Sequence, residues 1–423
     1  MKKRGKRIRK SVKIFLLITS ISFIGFIAFI LNETKDEVNA NMSNIESKLS
    51  SYFNENKMAG FAVSVFNADS IIYTTGIGYQ DVKKKIPYNK QTQQYIASIS
   101  KTTIGIALLK AEELGFLNIE DPINKYLSFH IVNPNFPNKE ITISQLATHT
   151  SSLDYNENVV ESLYIDDNYK EKSLEEFMVD YFKGDKYGTV KFTNNPPGSN
   201  WNYSNIGASL VAYIIEVTSK MSFSDFTKKH IFEPLDLNNT FWFRSEADST
   251  KFTKYYEARE DAIINVNTSG VKLYPSRDLI TNIEDLTTYC QAIISKNPKL
   301  LQSTSFDKLL SPRIKNSVSD LSVDNSGFFF MIDRNQYGIT YQLTGMNGGD
   351  NCINTMMWFD PKTELGYIFI GNTGGSKLNK YNHIYIYRSL VSLGDHILME
   401  NGTFGEKIEY KWHNLYNRVR ALF

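Results

Sequence analysis

Residues 94–115 read QYIASISKTTIGIALLKAEELG, and the change of pattern inside this stretch decides the fold. Gln94 to Ala97 is short and strand-like. From about residue 100 the apolar positions fall at Ile104, Ala107, Leu108, Ala111 and Leu114, the spacing of a helix that Gly115 then stops. The junction carries Ser98-Ile99-Ser100-Lys101. At a helix start, residues three apart share a face with Cβ atoms roughly 5–6 Å apart, so the Ser98 hydroxyl and the Lys101 amine can meet. An uncharged lysine there is a base beside a nucleophile, and burial and the positive end of the helix dipole both disfavour its charge. The same dipole and the Ser98 N–H favour an oxyanion beside the serine. The plainer reading is a capping serine and a solvated lysine. Ser-x-x-Lys recurs at Ser269–Lys272 and Ser305–Lys308, but neither lies where a strand-like run becomes a helix.

A second polar group is delivered at another helix start. Pro196-Pro197-Gly198 leads through Trp201 into Tyr203-Ser204-Asn205, and the run from Ile206 to Val217 has helical apolar spacing. Tyr203 can relay the proton of a serine, and the Asn205 amide can bind a substrate carbonyl. Taken alone, Asn205 reads equally well as an N-cap, and Tyr-x-Asn recurs at Tyr52-Phe53-Asn54.

Strand patterns bracket these helices. Phe61 to Phe66, a polar turn at Asn67 to Ser70, and Ile71 to Thr75 form one hairpin pattern, ending at Gly76 and Gly78. Asn354 to Phe359, a turn through Asp360-Pro361-Lys362, and Gly366 to Gly371 form another. Strands at both ends with helices between predict an α+β fold, one antiparallel sheet closed by the two chain ends and flanked by helices, plus a mostly helical subdomain. Residues 155–195, rich in Tyr, Asp and Lys, read as a surface insertion.

Several chemistries are excluded. The six histidines show no short ligand spacing, and no G-x-S-x-G elbow or P-loop occurs. Two cysteines, Cys290 and Cys352, cannot build a disulfide scaffold or a multi-cysteine metal site, so no metal or cofactor is called for. Eight of the 47 basic residues lie in the first thirteen positions; the remaining 39 face 45 acidic residues, a mildly acidic body that argues against a nucleic-acid partner.

That basic start precedes Ile14 to Leu31, 18 residues without a charge that as a helix span about 27 Å, close to a bilayer core. The expected organisation is a cytoplasmic basic segment (1–13), a transmembrane signal-anchor (14–31), a linker (32–52) leading into a first helix, a domain outside the cytoplasm (53–400) and a C-terminal tail (401–423). The alternative is a secretory signal cleaved near Ala40, after Val38-Asn39.

Six blocks in order then carry a resemblance: Ser98-Ile99-Ser100-Lys101; Leu146 to Leu153 (LATHTSSL); Pro197-Gly198 with Tyr203-Ser204-Asn205; Phe232-Glu233-Pro234-Leu235 with Thr240; Asp278-Leu279 with Glu284-Asp285-Leu286; and Gly345 to Asp350 (GMNGGD). Across residues 50 to 395 the chain resembles the serine beta-lactamase and penicillin-binding protein superfamily, nearest to class C beta-lactamases and related esterases and D-peptidases. The resemblance implies Ser98 as acylated nucleophile, Lys101 as its base partner, Tyr203 as general base and acid, and Asn205 orienting Lys101 and the substrate. The third motif falls on Met346-Asn347-Gly348, with Gly349 supplying an oxyanion-hole N–H beside that of Ser98. His149 is expected to be a buried hydrogen-bonding residue rather than a catalytic one.

Met346 departs from the pattern, standing where relatives carry a cationic or imidazole side chain; a thioether cannot donate to a substrate carboxylate. The expected function is a serine hydrolase acting through an acyl-enzyme on a small-molecule or peptide ester or amide, of esterase or D-amino-acid peptidase type. The alternative is a catalytically impaired relative that binds cell-wall fragments.

Overall fold

The computed structural model describes residues 40–55, 58–154, 164–165, 173–183, 190, 192–259, 262–268, 270–314, 325–333, 342–375 and 377–401. The expected basic segment, the apolar run 14–31 and most of the C-terminal tail lie outside them. No single described helix is long and apolar enough to cross a membrane.

The main sheet has eight strands: β1 (Gly60–Phe66), β2 (Ile71–Asp81), β3 (Ile86–Pro87), β4 (Asn325–Ser326), β5 (Met331–Asp333), β6 (Leu343–Asp350), β7 (Ile353–Phe359) and β8 (Gly366–Gly371), in the order β4-β5-β6-β7-β8-β1-β2-β3. Neighbours are antiparallel. The expected closure by the two chain ends is the β1–β8 pairing, which sets Phe61 opposite Gly371 and Phe66 opposite Gly366. Both central strands are fully buried because both faces are covered. Phe61 and Phe369 face one side, where Tyr367 and Phe369 meet Tyr387 and His383 of the C-terminal helix. Ala62, Phe66, Ile368 and Ile370 join the main core on the other.

Of the helices that share that core, four position the site or its frame: α2 (Ser100–Glu113), α3 (Ile143–Ala147), α4 (Asn205–Ser219) and α5 (Ile283–Ile294). α1 (Ile45–Glu55) and α6 (Lys377–Asn401) pair elsewhere, with Tyr52 stacked on Tyr385 at 5.9 Å. α3 opens with a capping box between Thr142 and Gln145, and α4 is capped by the Ser204 hydroxyl, which accepts from the Gly207 N–H.

Three expectations need correction. The linker does not run to residue 52: α1 begins at Ile45, with Ile45 and Leu49 buried, so amphipathic spacing weak enough to read as linker is sufficient once tertiary burial supports it. β2 does not end at Gly76 and Gly78 but continues to Asp81. Those glycines are spacers: a Cβ on Gly76 would lie 2.6 Å from the Tyr88 carbonyl oxygen, and Gly78 has φ +82° and no room beside Phe53. Within the expected insertion, Leu174–Lys183 is a helix whose Leu174, Phe177, Met178 and Tyr181 are buried in the main core. Both cysteines are free and buried.

Candidate active site

The nucleophile's turn is short and constrained. Gln94-Tyr95 pairs antiparallel with Ile280-Thr281, Ala97–Ile99 forms one turn of 3-10 helix, and α2 follows directly. Ala97 sits at φ +49°, in the left-handed region that costs an L-residue about 1 kcal/mol. Strain of this kind persists where the surroundings fix it. Here the Thr355 hydroxyl donates to the Ile96 carbonyl at 2.9 Å, and the Ser100 hydroxyl donates to the Ala97 carbonyl and accepts from the Leu279 N–H.

Two side chains converge on one oxygen. Lys101 Nζ lies 3.0 Å and the Tyr203 hydroxyl 2.8 Å from Ser98 Oγ. The Lys101 amine also lies 4.9 Å from the centre of the Tyr203 ring. Lys101 is fully buried. Burial first, and the Arg277 guanidinium second, hold its pKa well below the ordinary lysine range. The amine donates one N–H to the Ser276 carbonyl at 2.6 Å, and the uncharged form that burial favours has a lone pair able to take the Ser98 proton.

The third motif lies on β6, beside the turn that carries Ser98. Gly348 on β6 has no space for a side chain: a Cβ there would stand 2.3 Å from the Ile96 carbonyl oxygen and from Thr355 Oγ1, and 3.1 Å from the Ser98 amide nitrogen. Gly349 follows, exposed. Met346 shares the face of Gly348 by strand alternation but is 1% exposed and belongs to the main core, so it packs the floor and offers substrate no polar group.

One implied contact is absent. Asn205 opens α4, half-buried, and its side chain makes no hydrogen bond to Lys101 among the described residues; the Ser276 carbonyl takes that part. A backbone acceptor carries no residue-type signal, which is why the sequence did not point to Ser276. The cap of α4 is Ser204, one residue before the asparagine considered for it. His149 is buried as expected, its Nδ1 accepting from the Ser204 N–H at 3.2 Å.

The remaining blocks are frame. Asp285 accepts from the Asn239 N–H and the Thr240 hydroxyl, tying α5 to the loop after Phe232–Leu235, and Asp278 accepts from the Val271 N–H. No cluster of His, Cys, Asp or Glu suited to a metal ion occurs among the described residues.

Residues 43–389 match the family model described as Beta-lactamase. The chain belongs to the beta-lactamase family. Among similar proteins, PbpX of Bacillus subtilis (strain 168) is 28% identical over 63% of this chain, and Protein flp of Staphylococcus aureus (strain MW2) is 24% identical over 76%. The matches span 62% and 61% of those relatives' own lengths. Among solved structures, the octameric penicillin-binding protein homologue from Pyrococcus abyssi superposes with a TM-score of 0.67 at 22% identity, covering 83% of this chain and 77% of that one. The D-amino acid amidase from Ochrobactrum anthropi SV3 gives 0.66 at 17%, covering 84% and 99%. These likenesses establish the beta-lactamase/transpeptidase-like α+β fold.

Proposed function

We propose that this beta-lactamase relative hydrolyses neutral esters or amides of D-amino-acid type outside the cytoplasm, through an acyl-enzyme on Ser98. The observation that carries the reading is the pair of hydrogen-bonding groups, an amine disfavoured from charging and a phenol, both on Ser98 Oγ. Lys101 accepts the serine proton as Oγ bonds to the substrate carbonyl carbon. The Ser98 and Gly349 amides hold the resulting oxyanion. As the tetrahedral species collapses, the bond to the leaving amine or alcohol breaks; Tyr203 gives that group a proton and regains the one held on Lys101. Water then attacks the acyl carbon, its proton leaves by the same pair, and Ser98 is released with its hydrogen restored.

The D-amino-acid preference is drawn from the D-amino acid amidase among the structural neighbours, and the preference for neutral substrates from the buried, apolar Met346. We place the domain outside the membrane on the basic block before the apolar run 14–31, with anchoring through that run. The test uses the full chain in mild detergent with a p-nitrophenyl ester, D-phenylalanine amide, a peptide ending in D-Ala-D-Ala and a penicillin. Turnover of the first two, lost in Ser98→Ala, with carboxylate-bearing substrates at least tenfold slower, is the expected result. Faster cleavage of the carboxylate-bearing pair would overturn the substrate preference. Acylation without turnover of any of the four would favour the binding role instead.

A further inference from the structure

His149 stands beside the site without reaching the reacting atoms, and it brackets Tyr203 from both sides. Its backbone carbonyl accepts the Asn202 N–H at 2.7 Å, and its ring Nδ1 accepts the Ser204 N–H at 3.2 Å. The two residues flanking the phenol in sequence are therefore held by one residue of another segment. That residue adopts φ +58°, a left-handed conformation uncommon outside glycine. Its ring packs 4.6 Å from the Tyr203 ring, 5.2 Å from Phe329 and 5.9 Å from Trp201.

The tautomer follows from the hydrogen bond. A ring nitrogen that accepts a backbone N–H carries no proton, so the hydrogen of the neutral imidazole is on Nε2. Nε2 is buried and has no hydrogen-bond partner among the described residues. A buried donor without a partner is destabilising, so packing alone favours an apolar ring at this position. What an imidazole supplies and a phenyl ring does not is the acceptor beneath the Ser204 amide.

We propose that His149 is the positioning residue of the reaction, setting the Tyr203 hydroxyl over Ser98 by holding the backbone on both sides of it. The inference rests on the catalytic reading of Ser98, Lys101 and Tyr203. His149 acts only through Tyr203, so its contribution belongs to the acylation rate and not to substrate affinity.

The test measures phosphonylation of the full chain by a fluorophosphonate, in which the serine oxygen displaces fluoride as a stand-in for the acylation step, followed by intact mass, together with kcat and KM for a p-nitrophenyl ester. His149→Phe keeps the aromatic contacts and removes the ring acceptor; His149→Asn offers an amide oxygen in its place. Expected is a 10- to 100-fold fall in acylation rate and kcat for His149→Phe with KM changed less than threefold, and recovery of at least a third of the loss in His149→Asn. In a Tyr203→Phe background the same His149→Phe change should cost no more than twofold, because the group it positions is gone. An unchanged rate, a loss carried by KM, or an equal loss in both backgrounds would overturn the proposal. Should His149→Phe fail to fold, His149→Asn against His149→Leu carries the comparison: both lack the ring, and only the former keeps an acceptor. Equal rates in that pair would overturn it too. A wild-type chain that is never acylated would instead remove the catalytic reading itself.

Discussion

At the residue scale the decisive feature is a lysine buried in the interior, its pKa held well below the ordinary range. Burial penalises the charge that Lys101 carries in the unfolded chain, so the residue is retained at a cost in stability. Its pKa is depressed in the folded state, and the unfolded chain binds more protons over the interval up to the ordinary lysine value. Stability therefore rises with pH through that interval. Lys101→Met should abolish turnover yet unfold at higher urea concentration than wild type at pH 7, by roughly 1 kcal/mol or more. The difference should shrink near pH 10, where the unfolded lysine also loses its proton. Urea titrations at both pH values check this; a less stable variant, or a gap independent of pH, would contradict the buried-amine description.

At the scale of elements, the site is the meeting of three: the start of α2, the approach to α4, and the end of β6, joined by the loop that carries Ser276 and Arg277. Arg277 forms an ion pair with Asp350 at the end of β6 and lies 3.6 Å from Asp278. Its positive charge lowers the pKa of Lys101. Arg277→Gln should therefore raise that pKa and move the acidic limb of kcat/KM upward, by roughly half to one pH unit. Asp350→Asn, which leaves the guanidinium less neutralised, should move it the opposite way. Shifts of the same sign in a pH–rate series would refute the electrostatic assignment.

These elements differ in how far the sequence reveals them. α2 and α4 were legible because their apolar spacing is uninterrupted, and Ser98, Lys101 and Tyr203 because each sits at a change of pattern. Both hairpins were legible from their polar turns. What escaped depends on partners rather than on local pattern. The Ser276 carbonyl is a backbone group, and Arg277 is defined by Asp350, 73 positions away. The length of β2 depends on what packs against Gly76 and Gly78. The helix Leu174–Lys183 did leave a signal, since Leu174, Phe177, Met178 and Tyr181 have helical spacing after Ser173, whose hydroxyl accepts the Glu176 N–H. It was obscured by the polar composition around it.

At the scale of the whole molecule, the sheet that joins the two chain ends and the helices on its faces bury two histidines, His149 and His383. Burial pushes both from the ordinary 6.5 down to about 3. The unfolded chain takes up protons on both that the folded one refuses. The stability they contribute is present above about pH 6.5 and is lost as the pH falls toward 3. His383 accepts from the Asn354 side chain under the sheet, away from Ser98, so His383→Gln tests this without touching the site. Between pH 7 and 4.5 the variant should lose less stability than wild type by chemical denaturation, and equal losses would argue against a neutral buried imidazole. All of this serves one arrangement, a single hydroxyl shared by an uncharged amine and a phenol beneath a glycine-lined strand. Its most direct test is reaction of the full chain with a fluorophosphonate, followed by intact mass and peptide mapping. One adduct per chain, located on Ser98, absent in Ser98→Ala and at least a hundredfold slower in Lys101→Met and Tyr203→Phe, is the expected result. An adduct on another residue, or a rate indifferent to Lys101 and Tyr203, would contradict it.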